Sequence, residues 1–548
     1  MKSLKIYIWV LILANISLAF AQIENKEIVI YGDREISLPE VDRNFEKINF
    51  DVPRENFPPQ KYNIVKGELP AIADLNSKIK ILPVKDFIQD KLYPYFAKVG
   101  FGNYASPYLE LSAANKRNNK FMYVAHYKHN SSMRGPVLKS FSGVSNNELE
   151  LTSKYYTKNY TILADADYKR RMNKFYGFDI QNESRDKDTI KQVYHEPNVK
   201  LGFNYQSKDS LFDITTLAKY EGLFTKKNSH EHDLGYTLQG AYNLKKLKAP
   251  GVVHLNSELS VINKFDLNTQ QRYLFAFVPT YEYEYRKFTF EGGFNLSSEN
   301  DTSSYSKAVH FYPILKVYTM PLKGLGVKAE ISGGLQKNTL KSVSYENPFI
   351  NKGVNIYHTN EKLKLAFDVE ASLIKNLFFN LGVNYKRLNN LPFYINSGID
   401  SSRFNIVYDS TGKTNFTQLK AGLIYEFKTY SNSLQVEKNM YKLGDGSVAI
   451  HKPTFILKNS HSFNYRKKVY FEASFWYLDG IKTYQSEFNT TVVKLKPIID
   501  LSVGLKYKLN NRIGLFLDVN NLLAQKYQRY LYYKNQSINF MIGAYASF

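Results

Sequence analysis

The chain has 548 residues, with 73 Lys and Arg against 50 Asp and Glu, and a formal net charge of +23. Its mean hydropathy of −0.39 excludes a membrane protein built from many spanning helices, and an aromatic content of 15% argues against a disordered chain. Because cysteine is absent, disulfides, thiolate metal sites and a cysteine nucleophile are excluded, which leaves a large soluble all-β protein or a transmembrane β-barrel.

Residues 1–21 have the features of a signal peptide. Lys2 and Lys5 precede an apolar stretch over 6–18, and an Ala-Phe-Ala sequence at 19–21 gives a small-x-small cleavage site. The apolar stretch is too short to span a membrane, and no later window reaches about 18 uninterrupted apolar residues. We therefore expect an exported protein that crosses a membrane, if it does so, with strands.

The segment 22–96 is rich in proline, with seven of these residues between positions 39 and 94. Proline at this density keeps a chain extended and out of the interior of a sheet. We expect 22–96 to be an extended segment rather than part of a sheet.

From residue 97 to residue 548 the dominant pattern is strict alternation of apolar and polar residues. In 363–373 and 499–507, for example, Leu, Ile, Val, Phe, Tyr and Ala occupy every second position, and Lys, Asp, Glu, Ser and Gly occupy many of the positions between them. A period of two places each set on one face of a strand. Many segments run for about 10–14 residues, which is long for a sandwich and suits a tilted strand in a bilayer.

The connections between these segments predict a transmembrane β-barrel over 97–548. Short polar turns at 158–159, 286–287, 375–376, 466–467 and 510–511 tend to alternate with long polar connections, as in outer-membrane barrels. Because lipid cannot satisfy an open sheet edge, the strands must close on themselves. The fold class is therefore all-β, a large antiparallel barrel of about 22 strands within a range of about 20 to 24.

The last predicted strand ends at the carboxyl terminus. Phe540, Ile542 and Phe548 lie on its apolar face, and a terminal aromatic residue on such a strand resembles the signal that barrel-insertion machinery recognises. These three residues are the predicted insertion signal.

Several motifs together resemble the TonB-dependent receptors, especially the short, plug-poor members from Bacteroidetes. The similarity is clearest in 452–455, 465–468 and 518–527, and it extends back to 99–104. The resemblance implies an outer-membrane receptor barrel with TonB as a partner, and it marks Ile28, Val29, Ile30 and Tyr31 as a TonB-box-like segment. These four residues also fit an ordinary β-strand. Compared with the family, we expect no full plug domain, and we expect 22–96 to lie in the periplasm or partly inside the barrel lumen.

Ten histidines invite a search for metal or catalytic sites. His230 and His232, in the sequence His-Glu-His-Asp, share a strand face as two ligands would, but no third ligand is placed by the sequence. His126, His129 and the His195–Glu196 pair are interpreted as structural. The local signatures of serine hydrolases, zinc proteases and phosphate-binding loops are missing, so we expect a protein without enzymatic activity, metal or cofactor.

Three functions remain open for an outer-membrane barrel of a Gram-negative bacterium. The first is a receptor that binds or admits a solute, the second a structural subunit of an envelope protein complex, and the third a passive diffusion channel. The expected partners are outer-membrane lipid and lipopolysaccharide, the insertion machinery, TonB and other envelope proteins. Nucleic acid is not expected, because no basic stripe lies on a recognisable nucleic-acid-binding fold.

Overall fold

The computed structural model describes residues 93–116, 118–137, 139–178, 185–209, 211–226, 229–247, 250–303 and 307–548. The predicted signal peptide, the TonB-box-like segment from Ile28 to Tyr31 and almost all of the proline-rich segment lie outside these residues.

The described chain forms one large barrel with small elements in its loops. The barrel strands of the first half are β1 (Tyr95–Gly102), β2 (Ser106–Ala114), β3 (Phe121–Ser132), β4 (Val144–Tyr156), β5 (Tyr160–Lys174), β6 (Lys191–Gln206), β7 (Phe212–Thr225), β8 (His230–Asn243), β9 (Val252–Phe265), β10 (Gln270–Tyr285) and β11 (Phe288–Glu299). Those of the second half are β12 (Val309–Leu322), β13 (Leu325–Gln336), β14 (Thr359–Ile374), β15 (Leu377–Asn389), β18 (Thr414–Phe427), β19 (Tyr430–Lys442), β20 (Phe455–Tyr465), β21 (Val469–Asp479), β24 (Ile498–Lys508), β25 (Ile513–Asn520) and β28 (Asn539–Ser547).

These strands form a single closed antiparallel sheet of 22 strands. Each strand pairs with the next barrel strand along the chain, and β28 pairs with β1 in a register that runs from Phe96 opposite Ser547 to Gly102 opposite Met541. Closure leaves no sheet edge exposed, as lipid requires. The predicted fold class and strand number are confirmed.

The two rims of the barrel differ in the length of their connections. Ten turns of two to eight residues lie at one rim, and the five predicted short turns are among them. Eleven connections of three to 24 residues lie at the other rim. We call these the short-turn rim and the long-loop rim.

The alternation in the sequence separates an apolar outer face from a polar lumen. On β6, Val199, Leu201 and Phe203 point outward and are 44%, 58% and 40% exposed. Glu196 and Asn198 of the same strand are buried on the lumen side. An apolar face with this much exposed surface is the expected form of a wall that contacts hydrocarbon.

Every turn at the short-turn rim contains an exposed Lys or Arg. We call these ten turns the basic rim. One exposed cation from each turn is, in chain order, Lys116, Lys158, Lys208, Lys245, Arg286, Lys323, Lys375, Lys428, Arg466 and Arg512. By sequence the ten turns contain 17 basic residues and one acidic residue, Asp209, whereas the eleven connections of the long-loop rim contain 19 and 11. The basic charge is therefore concentrated at one end of the barrel.

The wall is uneven in height. β1 and β25 have 8 residues and β2 and β28 have 9. By contrast, β6, β10 and β14 have 16 residues each. The shortest part of the wall is thus where the two ends of the barrel sheet meet.

The long connections contain more structure than the sequence predicted. They include the helix α1 (Leu340–Glu346) and the small hairpins β16 (Phe393–Asn396) with β17 (Phe404–Val407), β22 (Lys482–Ser486) with β23 (Asn489–Lys494), and β26 (Gln528–Tyr530) with β27 (Tyr533–Lys534). A short 3-10 turn occurs at Lys139–Ser142, and a second, at Leu244–Leu247, lies at the short-turn rim. Within the described ranges no helix has the length and apolar content needed to cross a membrane.

Candidate functional site

Long loops from different sides of the barrel pack together over its mouth. Sixteen buried hydrophobic residues form one core, which we call the loop cap: Phe175, Tyr176, Phe178, Ile190, Tyr194, Leu223, Leu340, Val343, Phe349, Ile350, Val354, Ile356, Tyr394, Phe404, Tyr530 and Tyr533. Most of these residues belong to the connections after β5, β13, β15 and β25. Because those strands stand around the whole ring, their loops can meet only by crossing the mouth.

Tyr533 is the point at which the loops meet. Its ring stacks on Phe349 with centroids 3.7 Å apart and contacts Tyr176 at 4.8 Å, and its hydroxyl donates to the carbonyl of Ser402. Each of these partners comes from a different loop. Aromatic contacts of this kind add to the free energy of apolar burial, so the loops are held in one arrangement.

The helix α1 fixes the cap to the barrel wall. Thr339 is its N-cap and forms a reciprocal capping box with Ser342. The carboxylate of Glu231, on the lumen face of β8, accepts hydrogen bonds from the backbone N–H groups of Leu340 at 2.8 Å and Lys341 at 3.2 Å. A carboxylate at this place satisfies amides that the helix itself leaves unpaired.

Arg171, on the lumen face of β5, binds the other end of α1. Its Nε donates to Glu196 Oε1 at 2.6 Å, and its Nη atoms donate to the carbonyl and the hydroxyl of Ser344. The guanidinium also lies 3.8 Å from the ring centroid of Tyr345, whose hydroxyl donates to Glu196. Arg171 is 5% exposed and Glu196 is fully buried, so this is a desolvated ion pair between the wall and the cap.

Two lysines of the same loop complete the attachment. Lys341 Nζ lies 2.8 Å from Glu221 Oε1 and 2.7 Å from Asn198 Oδ1. Lys337 Nζ lies 2.6 Å from Asp233 Oδ2. The loop between β13 and β14 is therefore bound to the lumen faces of four neighbouring strands, β5 to β8.

A cavity of about 400 Å³ lies beneath α1 on the lumen side. Its charged lining comprises five carboxylates and four ammonium groups: Glu150, Asp167, Glu221, Glu231 and Asp233, with Lys169, Lys200, Lys337 and Lys341. Asn198, Ser342 and Tyr345 add neutral hydrogen-bonding groups. The volume suits a small molecule, and the lining favours a polar solute over an apolar one.

The sequence contained a partial signal for this site. Asp165, Asp167, Lys169 and Arg171 occupy every second position of one strand, which places four charges on one face. The sequence analysis treated His195 and Glu196 as one structural pair, but the two side chains lie on opposite faces of β6. Glu196 binds Arg171 in the lumen, whereas His195 Nδ1 lies 2.7 Å from the Tyr168 hydroxyl on the outer side.

The histidine cluster at the start of β8 is also divided between the two faces. The rings of His230 and His232 lie among Phe224 and Phe265 on the outer side, with the His230 and Phe265 centroids 4.9 Å apart. The intervening Glu231 points into the lumen and binds α1. Among the residues that the structure describes, no group of three or more His, Asp or Glu could hold a metal ion.

The remaining predicted residues lie as follows. His126 contacts Ser112 Oγ at 2.7 Å in the lumen, and His129 contacts Asn147 at 2.8 Å near the long-loop rim. Phe540 and Ile542 point outward from β28, and Phe548 is 58% exposed beside Tyr95 at the short-turn rim. Their recognition by the insertion machinery stays a prediction.

The connection between β13 and β14, which contributes to the loop cap, ends at a buried histidine that should make the cap sensitive to acid. Burial, followed by the positive charges of Arg272 and Lys337, lowers the pKa of His358 to about 3. An unfolded histidine has a pKa of about 6.5, so between about pH 6.5 and 3 the unfolded loop binds a proton that the folded loop excludes, and stability is lost as the pH falls. Burial raises the pKa of Asp301 to about 6, which acts in the opposite direction over a narrower range.

We expect the His358→Asn variant to keep its cap closed at lower pH than the wild type. The asparagine oxygen can replace Nδ1, which accepts a hydrogen bond from the Asn338 N–H, without taking up a proton. Limited proteolysis of the cap between pH 7 and 4 measures the effect, with His126→Asn as a control in the barrel wall. The same acid midpoint in the wild type and both variants would contradict it.

Solved structures share the fold of this chain, whereas comparisons of its sequence find no match. No family model matches the chain, and no curated protein matches it either. A mutant of the ferric enterobactin receptor (PfeA) of Pseudomonas aeruginosa, in complex with enterobactin, aligns with 83% of this chain and 81% of its own at 12% identity, with a TM-score of 0.62. The siderophore receptor PirA of Acinetobacter baumannii covers 83% and 80% at 9% identity, with a TM-score of 0.64.

A third solved structure gives the same result. The FrpB iron transporter of Neisseria meningitidis aligns with 84% of this chain and 82% of its own at 9% identity, with a TM-score of 0.64. At these identities the similarity establishes the fold. The chain has the 22-strand barrel fold of the outer-membrane receptors that the sequence resembles.

Proposed function

We propose that this protein is an outer-membrane receptor barrel that binds a small polar solute beneath its loop cap and admits it when the cap moves. The observation that carries this proposal is the charged cavity between α1 and the lumen faces of β4 to β8. The solved structures with this fold are named as receptors for ferric enterobactin and siderophores and as an iron transporter. Their roles support a binding and transport function rather than catalysis.

The lining indicates what kind of solute fits. Five carboxylates and four ammonium groups surround the cavity, and most of them already form ion pairs with one another, such as Lys337 with Asp233. A solute that carries groups of both signs could exchange its own contacts for these pairs and leave no charge uncompensated. We therefore propose a zwitterionic or strongly hydrogen-bonding solute.

The loop cap also bears on the passive-channel alternative. A diffusion channel needs an open path from the long-loop rim, and a cap with sixteen buried hydrophobic residues lies across that path. The structural-subunit alternative needs no path at all and agrees equally well with a closed cap. The decisive property is therefore whether the cap opens.

Labelling of a single engineered thiol tests this directly, because the chain contains no cysteine of its own. The Lys200→Cys variant places the thiol in the cavity lining. We expect a membrane-impermeant maleimide added to intact cells to react slowly with it and to react much faster once 338–357 is replaced by a Gly-Ser linker. Phe311→Cys, exposed on the outer face, is the control for non-specific labelling.

Each alternative predicts a different outcome of this experiment. Fast labelling of Lys200→Cys that is unchanged by loop replacement would support a passive channel. No labelling with or without the loop replacement, together with stable co-purification of envelope proteins, would support a structural subunit. TonB coupling predicts that labelling slows when the proton-motive force is collapsed or when residues Ile28 to Tyr31 are replaced by glycine. A labelling rate that is unaffected by both changes would exclude TonB as the driving partner.

A further inference from the structure

The basic rim has twice the net charge of the long-loop rim, +16 against +8, in far fewer residues. Its ten turns contain 17 Lys and Arg against one Asp, whereas the much longer connections of the opposite rim contain 19 against 11. The acidic residues of the long loops provide internal partners for many of their cations, as Asp400 does for Arg185 and Arg403. The turns of the basic rim contain one acidic residue, Asp209, so most of their charge is not balanced by acidic residues of the turns themselves.

Three cations of these turns lie at positions where the backbone conformation disfavours a long side chain. Arg286, Arg466 and Lys467 have φ angles of 56°, 51° and 56°, in the left-handed region. Glycine and asparagine adopt this region most easily, and Asn-Gly is the preferred sequence of a two-residue hairpin turn. The chain instead places long cationic side chains there, so the property supplied at these positions is the charge.

The cations lie at the level of the aromatic residues that end the strands. The guanidinium of Arg286 is 5.2 Å from the ring centroid of Tyr285, and that of Arg466 is 5.1 Å from the ring of Tyr465. Both rings point outward and are 49% and 48% exposed. Tyrosines in this position mark the level of the lipid headgroups in a transmembrane barrel.

We infer that the basic rim binds the phosphate groups of anionic phospholipids in the periplasmic leaflet. The orientation rests on the proposed function, because short turns face the periplasm in outer-membrane barrels. Neighbouring turns are two strands apart, or about 10 Å, and together they surround the barrel. A continuous ring matches the lipids that surround a barrel on all sides, whereas an acidic protein would contact one sector of it. Lipopolysaccharide occupies the opposite leaflet, at the long-loop rim.

Reconstitution of the full-length chain in vesicles of phosphatidylcholine and phosphatidylglycerol at a ratio of 4:1 tests this inference. The rim variant carries Arg286→Asn, Lys287→Asn, Arg466→Asn, Lys467→Asn and Lys468→Asn, and asparagine suits the left-handed turns, so the barrel should still fold. The matched control removes five exposed cations from the long loops, namely Arg134→Asn, Lys226→Asn, Lys413→Asn, Lys494→Asn and Lys526→Asn. The readout is the phosphatidylglycerol fraction of the lipids that remain bound after mild detergent extraction.

We expect the wild type and the long-loop control to retain phosphatidylglycerol well above its share in the vesicle. A cation near an anionic surface is worth about five-fold in partitioning, so the ratio of phosphatidylglycerol to phosphatidylcholine among the retained lipids should fall in the rim variant by up to about that factor, toward the ratio in the vesicle. Raising the salt concentration from about 0.1 to 0.5 M should weaken wild-type enrichment, because it shortens the screening length. Absence of enrichment in the inserted wild type, or equal losses in the two variants, would overturn the inference. Failure of the wild type to insert would instead count against the proposed function.

Discussion

Replacement of Leu201 by arginine should lower the free energy of unfolding of the barrel in a bilayer. Leu201 lies between Val199 and Phe203 in the outward apolar row of β6 and is 58% exposed. An arginine on the lipid face of a barrel costs about 2–4 kcal/mol near the middle of the bilayer. The folded fraction in vesicles, measured by urea titration and by heat-dependent electrophoretic mobility, should fall accordingly.

The matched control is Gln239→Arg, which adds the same side chain on the lumen side of β8. Gln239 pairs with Thr215 and Asn256 in the sheet and is exposed in the lumen, where an added charge remains hydrated. We expect this variant to fold almost as well as the wild type. An equal fall in the folded fraction of the two variants would mean that the outer face contacts something other than hydrocarbon, and the membrane assignment would then be wrong.

Removal of the Arg171 side chain should open the cap without dismantling the barrel. In the Arg171→Ala variant Glu196 remains fully buried but loses its counter-charge, and Ser344 loses both of its contacts with the wall. Breaking a buried ion pair from one side costs about 3–5 kcal/mol. Hydrogen exchange of the α1 amides should therefore accelerate by more than about 100-fold.

Two further variants separate the charge effect from the loss of packing. Arg170→Ala truncates the neighbouring residue of β5, which has the opposite parity along the strand, and should leave exchange in α1 unchanged. The double variant Arg171→Met with Glu196→Gln removes both charges and should recover much of the protection, because no unpaired charge remains. Slow exchange in Arg171→Ala would show that the aromatic core alone holds the cap closed.

The barrel could be predicted from the sequence because each of its determinants is local. A strand such as β14 shows its period of two within a single window, and a turn such as 375–376 is visible as a polar interruption between two apolar rows. Closure then follows from the physics of lipid rather than from any particular residue. The strand number follows from the count of these windows.

The loop cap could not be predicted in the same way. Phe175, Phe349, Phe404 and Tyr533 are contributed by four loops that are far apart in the sequence, and none of them belongs to a periodic pattern. The aromatic density of 527–533, with four tyrosines in seven residues, was the available sign that a long connection was not merely polar. It does not indicate which other loop those rings contact, and the buried pair of Arg171 and Glu196 depends on the same unpredictable approach.

The unequal height of the wall has a consequence for the surrounding bilayer. With a rise of about 3.3 Å per residue and a tilt of about 40°, an eight-residue strand such as β1 or β25 is only about 20 Å tall, whereas the apolar band of an outer-membrane barrel is about 25 Å. Lipids beside these strands must compress or the molecule must lean toward them, at a cost of a fraction of a kcal/mol for each ångström. The bilayer should therefore be locally thinner along the seam between β28 and β1 than beside the taller strands on the rest of the barrel.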